Sequence, residues 1–212
     1  ALPLRFVSRP AVVGDVVCVG ARDAQNDAFL VGYAMSNGRR LWRTKVAAAH
    51  WMGSSRGRNE IPDGSPIAAR DGIAYHCNNL GTVAAVDAAD GSLIWVTRYE
   101  SDDSVLCRLK TIGGQEATVT APPNAPLMAD GTLFVLPTDS RYLYALDAAT
   151  GTVKWRHDRN SGEAACLYLL AAGASRVYLS GSAVACLDAK DGALVWRSVL
   201  LNSFPVGRGL VA

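Results

Sequence analysis

The stretch that decides the fold is Asp130–Trp155, with the sequence DGTLFVLPTDSRYLYALDAATGTVKW. Apolar residues alternate with polar ones in three short runs, which Gly, Asp and Ser residues separate. This pattern predicts half-buried strands at 133–136, 142–146 and 152–155. The last two strands are joined by a tight turn, in which Asp147 accepts a backbone N–H and Gly151 adopts positive φ. A turn of this kind closes a hairpin with a type I turn and a bulge.

The same turn recurs along the chain. In every copy Gly precedes a tryptophan by four positions, and in all copies but the first Asp precedes that Gly by four. Ala34 replaces the Asp in the first copy, so this turn is predicted to depend on Ser36 or Asn37. Successive tryptophans are 53, 60 and 41 residues apart, and a period of this size built from strands is typical of a β-propeller. The copies are Ala34–Trp42, Asp87–Trp95, Asp147–Trp155 and Asp188–Trp196.

The segment from Ala145 to Trp155 resembles the blade repeat of the pyrroloquinoline-quinone-type (PQQ-like) β-propellers. That family includes quinoprotein dehydrogenases and cofactor-free envelope propellers of the outer-membrane assembly type. The resemblance implies an all-β fold of four-stranded antiparallel blades, with each repeat tryptophan on an outermost strand near the Gly of a neighbouring blade. It also implies a larger ring of seven or eight blades and a periplasmic or extracytoplasmic location.

The repeats predict a single propeller domain over residues 1–212. Residues 2–8 are interpreted as the outer strand of a preceding blade, and residues 203–212 as the start of a further one. Remaining blades would come from a longer parent chain or from a second copy that closes the ring. The predicted complete blades are residues 10–46, 64–98, 124–158 and 166–199.

The composition limits the partners and sites that we consider. Half of the 212 residues are hydrophobic, the mean hydropathy is +0.12, and the net charge of +2 is too small to indicate nucleic acid or an anionic membrane surface. No apolar run is long enough for a membrane span, and residues 1–4 are not a signal peptide. The five cysteines contain no adjacent or Cys-x-x-Cys pair, which favours free cysteines acting as apolar filler. The three histidines are scattered, so no metal site is predicted.

Two long inserts, residues 47–63 and 100–123, connect successive blades. In a four-stranded meander these connections lie on the same face as the loops at 22–27, 78–79 and 139–141. Long loops on a rigid scaffold commonly carry binding residues, so this face is the candidate surface for a protein partner. The alternative is that Trp51 anchors its loop to the propeller while the arginines stay solvated. The candidate binding residues are His50, Trp51, Arg56, Arg58, Asn78, Asn79 and Arg141.

The sequence favours a non-catalytic binding or assembly scaffold of the bacterial envelope over an enzyme. The resemblance implies that a quinoprotein dehydrogenase would have an adjacent cysteine pair over its quinone, and this chain has none. Its regularly placed acids, Asp87, Asp147 and Asp188, are assigned to turns. No catalytic residue and no cofactor are therefore predicted. The alternatives are a fragment of a quinoprotein dehydrogenase that depends on PQQ and calcium, and the sensor domain of a larger signalling protein.

Overall fold

The computed structural model of the chain describes residues 3–48, 63–101, 107–110, 116–119, 122–160, 166–181 and 183–199. All regular elements in these ranges are strands, which confirms the all-β prediction. The chain divides into two compact units, Ala1–Asp103 and Ser104–Ala212. The candidate residues His50, Trp51, Arg56 and Arg58, and the predicted strand at 203–212, lie outside the described residues.

The first unit holds two antiparallel sheets. The strands are β1 (Arg5–Phe6), β2 (Ala11–Val13), β3 (Val16–Arg22), β4 (Ala28–Ala34), β5 (Arg40–Ala47), β6 (Ala68–Arg70), β7 (Ile73–Cys77), β8 (Thr82–Asp87) and β9 (Leu93–Arg98). In the first sheet β3, β4 and β5 follow one another, and both β1 and β2 pair with β3; the second sheet has the order β6-β7-β8-β9.

The second unit holds a two-stranded hairpin and two four-stranded antiparallel meanders, in which each strand pairs with the next. The hairpin lies within the second long insert, so that insert contains regular structure. The strands are β10 (Cys107–Lys110), β11 (Glu116–Val119), β12 (Leu127–Ala129), β13 (Thr132–Val135), β14 (Tyr142–Asp147), β15 (Val153–Asp158), β16 (Cys166–Ala172), β17 (Arg176–Gly181), β18 (Ala183–Asp188) and β19 (Leu194–Val199). We refer to the four meanders, which end with β5, β9, β15 and β19, as blades 1 to 4.

Strand β1 does not belong to a preceding blade, so that prediction is wrong. Arg5 and Phe6 pair with Arg22 and Ala21 at one end of β3, while β2 pairs with the other end. The innermost strand of blade 1 is therefore made of two segments separated by Pro10. Proline has no N–H to donate to a neighbouring strand. Because the strand is interrupted at Pro10, no hydrogen bond of the sheet is lost there.

Burial differs between the middle and outer strands of a blade. β8 and β13 are buried at nearly every position, whereas β9 buries only Trp95. The main cluster of the first unit combines β3, β4, β7 and β8, and that of the second combines β13, β14, β17 and β18. Each cluster is thus a sheet-on-sheet core formed by two blades of one unit.

The tight turn between the third and fourth strands of each blade has the predicted chemistry. The carboxylate of Asp147 accepts the backbone N–H groups of Ala149 and Thr150 at 3.1 and 3.0 Å, and Gly151 has φ +74°. A register shift follows between Ala145 and Leu146, as expected for a bulge. In the first copy, where the Asp is missing, Asn37 accepts the N–H of Arg39 at 2.9 Å. We call these turns the acceptor turns, for the reason given next.

Within each unit a repeat tryptophan, Trp42 or Trp155, joins the outer strand of one blade to the acceptor turn of the other. The indole N–H of Trp42 donates to the carbonyl of Ala88 at 2.9 Å, and the Thr44 hydroxyl donates to the carbonyl of Gly91. A Cβ on Gly91 would lie 2.6 Å from the Trp42 ring, so only glycine leaves room for the indole. Trp42 is 9 % exposed as a result.

The second unit repeats this contact with a different side chain. Trp155 donates to the carbonyl of Ala189 at 3.0 Å, and Nδ1–H of His157 donates to the carbonyl of Gly192 at 3.0 Å. A Cβ on Gly192 would lie 2.5 Å from the Trp155 ring. We call the tryptophan and the hydrogen-bonding residue two positions later the outer-strand clip. It fastens two blades by hydrogen bonds to main-chain carbonyls and by an aromatic contact over a glycine.

Candidate functional site

The loops between the second and third strands meet the inter-blade connections at one end of each unit. In the first unit the N–H of Tyr99 donates to the carbonyl of Gly81, and the amide of Asn79 donates to the carbonyl of Asp63 at 2.7 Å. In the second unit the N–H of Arg159 donates to the carbonyl of Arg141. We call this end the loop face of each unit.

The loop from Asp23 to Asp27 has its charges paired within blade 1. The Asp23 carboxylate accepts the N–H groups of Gln25 and Asp27, both at 3.0 Å, which fixes the loop. Arg43 lies 3.7 Å from Asp23 and 3.7 Å above the ring of Phe29, and Lys45 pairs with Asp27. This part of the loop face therefore presents little unbalanced charge.

The side chains of Asn78 and Asn79 are used to shape their own loop. The amide oxygen of Asn78 accepts the N–H groups of Leu80 and Thr82, at 2.8 and 3.2 Å. Asn79 has φ +54°, a left-handed conformation that asparagine tolerates better than most residues. Their exposed fractions are only 2 % and 1 %. A partner that reached this loop would meet mainly backbone and the neighbouring residues.

Beneath this loop, Arg22 and His76 are buried where blades 1 and 2 meet. Arg22 donates to the carbonyl of Asn78 at 2.9 Å, which fastens the end of β3 to the next blade. The His76 ring fills the space that side chains would occupy at Gly20 and Gly64, because a Cβ on either would lie 2.7 Å from it. Burial, and secondarily the charge of Arg22, lower the pKa of His76 to about 4, although a hydrogen bond to the Ser65 backbone opposes the shift.

In the second unit an exposed group of charged and aromatic side chains surrounds Arg141. Arg141 forms an ion pair with Asp158 on the adjacent strand, and its guanidinium lies 5.5 Å from the ring centre of Tyr142. The guanidinium of Arg156 lies 4.4 Å from the same ring. Two cations thus share one aromatic ring at the surface, an arrangement suited to carboxylates and aromatic side chains of a partner. We call Arg141, Tyr142 and Arg156 the arginine–tyrosine cluster.

Buried hydrogen bonds hold the backbone under this cluster. The Ser140 and Tyr144 hydroxyls lie 3.1 Å apart, and Ser140 also accepts the N–H of Tyr142 at 3.3 Å. The buried Arg159 donates to the carbonyl of Pro137 at 2.7 Å. The support is rigid, so a partner would meet a preformed surface.

The sequence analysis named Arg141 as a candidate but did not name the residues beside it. Tyr142 and Arg156 are on paired strands, where Tyr144 lies opposite Arg156 and Tyr142 lies opposite Asp158. The register of these strands could have been derived from the turn and its bulge, which would have placed both arginines beside Tyr142. Of the described candidate residues, Asn78 and Asn79 lie in one loop of the first unit, whereas Arg141 belongs to the second unit.

Other features of the described residues have a simpler role. Cys18, Cys77, Cys166 and Cys186 are free and buried, as expected for apolar filler, and burial raises the pKa of the Cys18 thiol to about 11. Among the described residues, no three His, Cys, Asp or Glu side chains converge as metal ligands do. Over the same residues, no helix has the length and hydropathy of a membrane span.

Comparison with protein families identifies the chain. The family described as outer membrane protein assembly factor BamB matches residues 1–106 and 30–208. The chain belongs to this BamB-type PQQ-repeat family. The match confirms the resemblance to the PQQ-like propellers. Within that group, the chain is more similar to the envelope assembly propellers than to the quinoprotein dehydrogenases.

Two relatives of the BamB-type family carry the same description. Outer membrane protein assembly factor BamB of Alkalilimnicola ehrlichii is 29 % identical over 166 residues, which cover 76 % of this chain and 35 % of the relative. BamB of Legionella pneumophila is 27 % identical over 158 residues, covering 74 % of this chain and 33 % of the relative. Both names describe assembly factors, and neither describes an enzyme. The chain spans about a third of the length of these relatives.

Solved structures of the same fold include members of both branches. BamB from Moraxella catarrhalis aligns with a TM-score of 0.61 at 19 % identity, covering 100 % of this chain and 55 % of that one. The quinohemoprotein alcohol dehydrogenase from Comamonas testosteroni aligns with a TM-score of 0.60 at 16 % identity, covering 92 % of this chain and 35 % of that one. At these identities the alignments show the β-propeller fold of PQQ-type repeats.

Proposed function

We propose that the chain is a non-catalytic part of an outer-membrane protein assembly factor of the periplasm, and that it binds a protein partner through its loop face. The observation that carries this proposal is the BamB-type family match, together with two relatives that both bear the assembly-factor name. The absence of adjacent cysteines argues in the same direction. The repeat acids Asp87, Asp147 and Asp188 accept backbone N–H groups of their own turns, which leaves them an architectural role.

Within the loop face, the arginine–tyrosine cluster is the proposed contact among the described residues. Arginine and tyrosine are enriched in the energetically dominant positions of protein interfaces, and here both are already oriented. His50, Trp51, Arg56 and Arg58 of the first insert remain proposed contributors. Asn78 and Asn79 contribute by holding their loop, since their side chains are hydrogen-bonded and buried.

The test measures binding of the purified chain to outer membranes from a Legionella pneumophila strain that lacks its own BamB. We expect saturable co-sedimentation, and its loss after the membranes are treated with protease, because the partner is a protein. Arg141→Ala should weaken binding by about tenfold, as for a dominant interface arginine.

Arg176→Ala is the matched control. Arg141 and Arg176 are both partly exposed, at 49 % and 38 % of the side chain, and each pairs with an aspartate of an adjacent strand. Arg176 begins β17, at the acceptor-turn end of blade 4, away from the loop face. Equal weakening by both substitutions, or binding that survives protease, would contradict the proposed contact.

A separate measurement tests the non-catalytic part of the proposal. The chain is incubated with pyrroloquinoline quinone and calcium, and its melting temperature and dye reduction are followed. A ligand that binds the folded state raises the melting temperature, so a dehydrogenase fragment with its site intact would be stabilised. We expect neither stabilisation nor dye reduction, and either one would overturn this part.

A further inference from the structure

The acceptor turn of blade 1 contains Asn37 followed by Gly38, the one Asn-Gly pair of the sequence. Asparagine is among the residues that degrade most easily in proteins. It loses its side-chain amide when the backbone nitrogen of the next residue attacks the side-chain carbon Cγ. A side chain on that next residue hinders the attack, and glycine has none. The pair therefore combines the electrophile with the least hindered nucleophile that a protein backbone offers.

The structure directs the Asn37 side chain across Gly38. Its amide oxygen accepts the N–H of Arg39 at 2.9 Å, so the side chain folds forward over the intervening peptide unit. The same N–H stabilises the negative charge that develops on this oxygen during attack, as the donors of an oxyanion hole do. Arg39 and Arg40 are both exposed, and their positive charges favour the deprotonated form of a backbone nitrogen nearby.

Asn37 is exposed, and the comparison with blade 2 shows that this position of the turn stays exposed when an indole covers the glycine. In blade 2 the ring of Trp42 lies over Gly91, yet Asp90, which corresponds to Asn37, is exposed. Water reaches this position of the turn in both blades. Hydrolysis after the attack is therefore not limited by access of solvent.

The attacking nitrogen has to leave a hydrogen bond, and the turn of blade 1 holds it less firmly than its counterparts do. The N–H of Gly38 donates to the carbonyl of Ala34 at 2.8 Å. In blades 2 and 4 the residue corresponding to Ala34 is Asp87 or Asp188, whose carboxylate accepts a further N–H of the turn at 2.8 or 2.9 Å. Ala34 has no side-chain acceptor, so opening the blade 1 turn breaks one hydrogen bond fewer.

We propose that Asn37 is a site of spontaneous deamidation. The nitrogen of Gly38 loses its proton to solvent base and bonds to Cγ of Asn37, and the side-chain nitrogen leaves as ammonia. Water then adds to one of the two carbonyl groups of the resulting succinimide ring and opens it. The overall change consumes one water and releases one ammonia, so no oxidant or other reactant is needed. Opening at one carbonyl gives aspartate, and opening at the other gives isoaspartate.

The two products differ in their effect on the turn. Aspartate at position 37 reproduces Asp90 and Asp191, whose carboxylates accept the N–H two residues later at 2.8 and 2.9 Å. Isoaspartate adds a carbon to the main chain, which separates the groups that close the turn. Deamidation thus gives one form with the turn of blades 2 and 4 and a new negative charge, and another form with a broken turn. The inference concerns the acceptor-turn end and does not depend on the proposed function.

The first experiment incubates the chain in its folded state and, in parallel, in denaturant. Peptide mass spectrometry follows deamidation at each asparagine over time. We expect Asn37 to react in the folded chain at a rate comparable with that in the denatured chain, and faster in mildly alkaline than in neutral buffer because the nitrogen must lose its proton. Asn78, Asn79 and Asn124 are buried internal controls and should stay intact while the chain is folded.

The second experiment compares variants of the turn. Ala34→Asp supplies the carboxylate of the other blades, so it should slow the reaction at Asn37 several-fold in the folded chain and much less in the denatured chain. Ser36→Asp is the matched control, because it adds the same charge at an exposed position of the same turn without that acceptor. Asn37→Asp should release no ammonia from this peptide and should unfold at the same urea concentration as the wild type.

Three results would overturn the proposal. The first is a folded chain in which Asn37 stays as intact as Asn124 while the denatured chain reacts, because the hydrogen bond of Gly38 would then protect the site. The second is a reaction in Ala34→Asp as fast as in the wild type. The third is equal slowing by Ala34→Asp and Ser36→Asp, which would assign the effect to charge alone.

Discussion

In the first unit the loop ends of the two blades meet at a buried histidine and a buried arginine, whereas in the second unit a neutral amide makes that junction. His76 packs against Gly20 and Gly64, and Arg22 donates to the carbonyl of Asn78. In the second unit Asn124 donates to the carbonyl of Leu167 at 3.0 Å and accepts the N–H of Leu169 at 3.1 Å.

At their outer strands, by contrast, the two units use the same clip. The comparison shows that a repeat fold can keep one inter-blade contact and replace the other. The clip requires an indole and a glycine, so its geometry leaves few alternatives. The loop-end junction requires only that buried polar atoms be paired, which several residue types can achieve. The acid sensitivity that His76 contributes should therefore arise at the loop end of the first unit.

The largest expected effect concerns the shared contact. Trp42→Ala should lower the free energy of unfolding by about 3–5 kcal/mol, as for other buried aromatics, and Trp155→Ala by about 3 kcal/mol because that ring is half-buried. Val153→Ala, at an exposed position of β15, should change it by less than about 0.5 kcal/mol. Urea denaturation at pH 7 measures all three. Losses below about 1 kcal/mol at both tryptophans would mean that the clip does not hold the blades together.

The second prediction tests the difference between the loop ends. His76 is neutral in the folded chain down to about pH 4, whereas in the unfolded chain it takes up a proton below about pH 6.5. The contribution of neutral His76 to the free energy of unfolding is therefore fully present above pH 6.5, and it is lost as the pH falls toward 4. The loss is about 3 kcal/mol for a shift of this size. Hydrogen exchange read separately for residues 3–48 and 63–101 should show this loss.

His76→Gln provides the control for that experiment. It should lower stability at pH 7, because the buried ring contacts are lost, and it should flatten the dependence between pH 6.5 and 4. The pKa of His157 is also lowered by burial, so His157→Gln should remove a smaller acid sensitivity from the second unit. Unchanged acid sensitivity of the first unit in the His76 variant would assign the effect to other groups.

The smallest effect sharpens the comparison between a filled and an unfilled acceptor turn. Gly192→Ala introduces positive-φ strain and also a Cβ 2.5 Å from the Trp155 ring, whereas Gly38→Ala introduces only the strain. At low protein concentration, Gly192→Ala should therefore cost about 1–3 kcal/mol more than Gly38→Ala. Equal costs would show that the glycine serves the turn conformation alone.

The sequence predicted the parts of this fold that depend on local chemistry. The turn at Asp147 and Gly151 follows from hydrogen bonding and positive φ within five residues, so one copy was enough to derive it. The pairing of β1 with β3 was mispredicted, because a short strand beside a proline gives no signal for which neighbour it pairs with. The second member of the clip was missed because Thr44 and His157 differ in chemistry and become equivalent only when the neighbouring carbonyl is placed beside them.

The candidate site divides in a similar way. Arg141 was a candidate because its loop is predicted to lie on the same face as the two long inserts. Tyr142 and Arg156 needed the strand register, which brings together residues far apart in sequence. Asn78 and Asn79 were recognised as loop residues, but their burial depends on contacts with Asp63 and Thr82 that no local pattern indicates.

The clip makes its hydrogen bonds to main-chain carbonyls, those of Ala88 and Gly91 in one unit and of Ala189 and Gly192 in the other. Apart from the glycine and the Asp or Asn that shapes the turn, the receiving segment can therefore exchange its side chains without disturbing the joint. When blades are duplicated, deleted or exchanged in the gene, a new pair of adjoining blades can therefore still form this contact. The joint constrains almost nothing about what each module presents to its surroundings, which lets one architecture serve proteins with unrelated tasks.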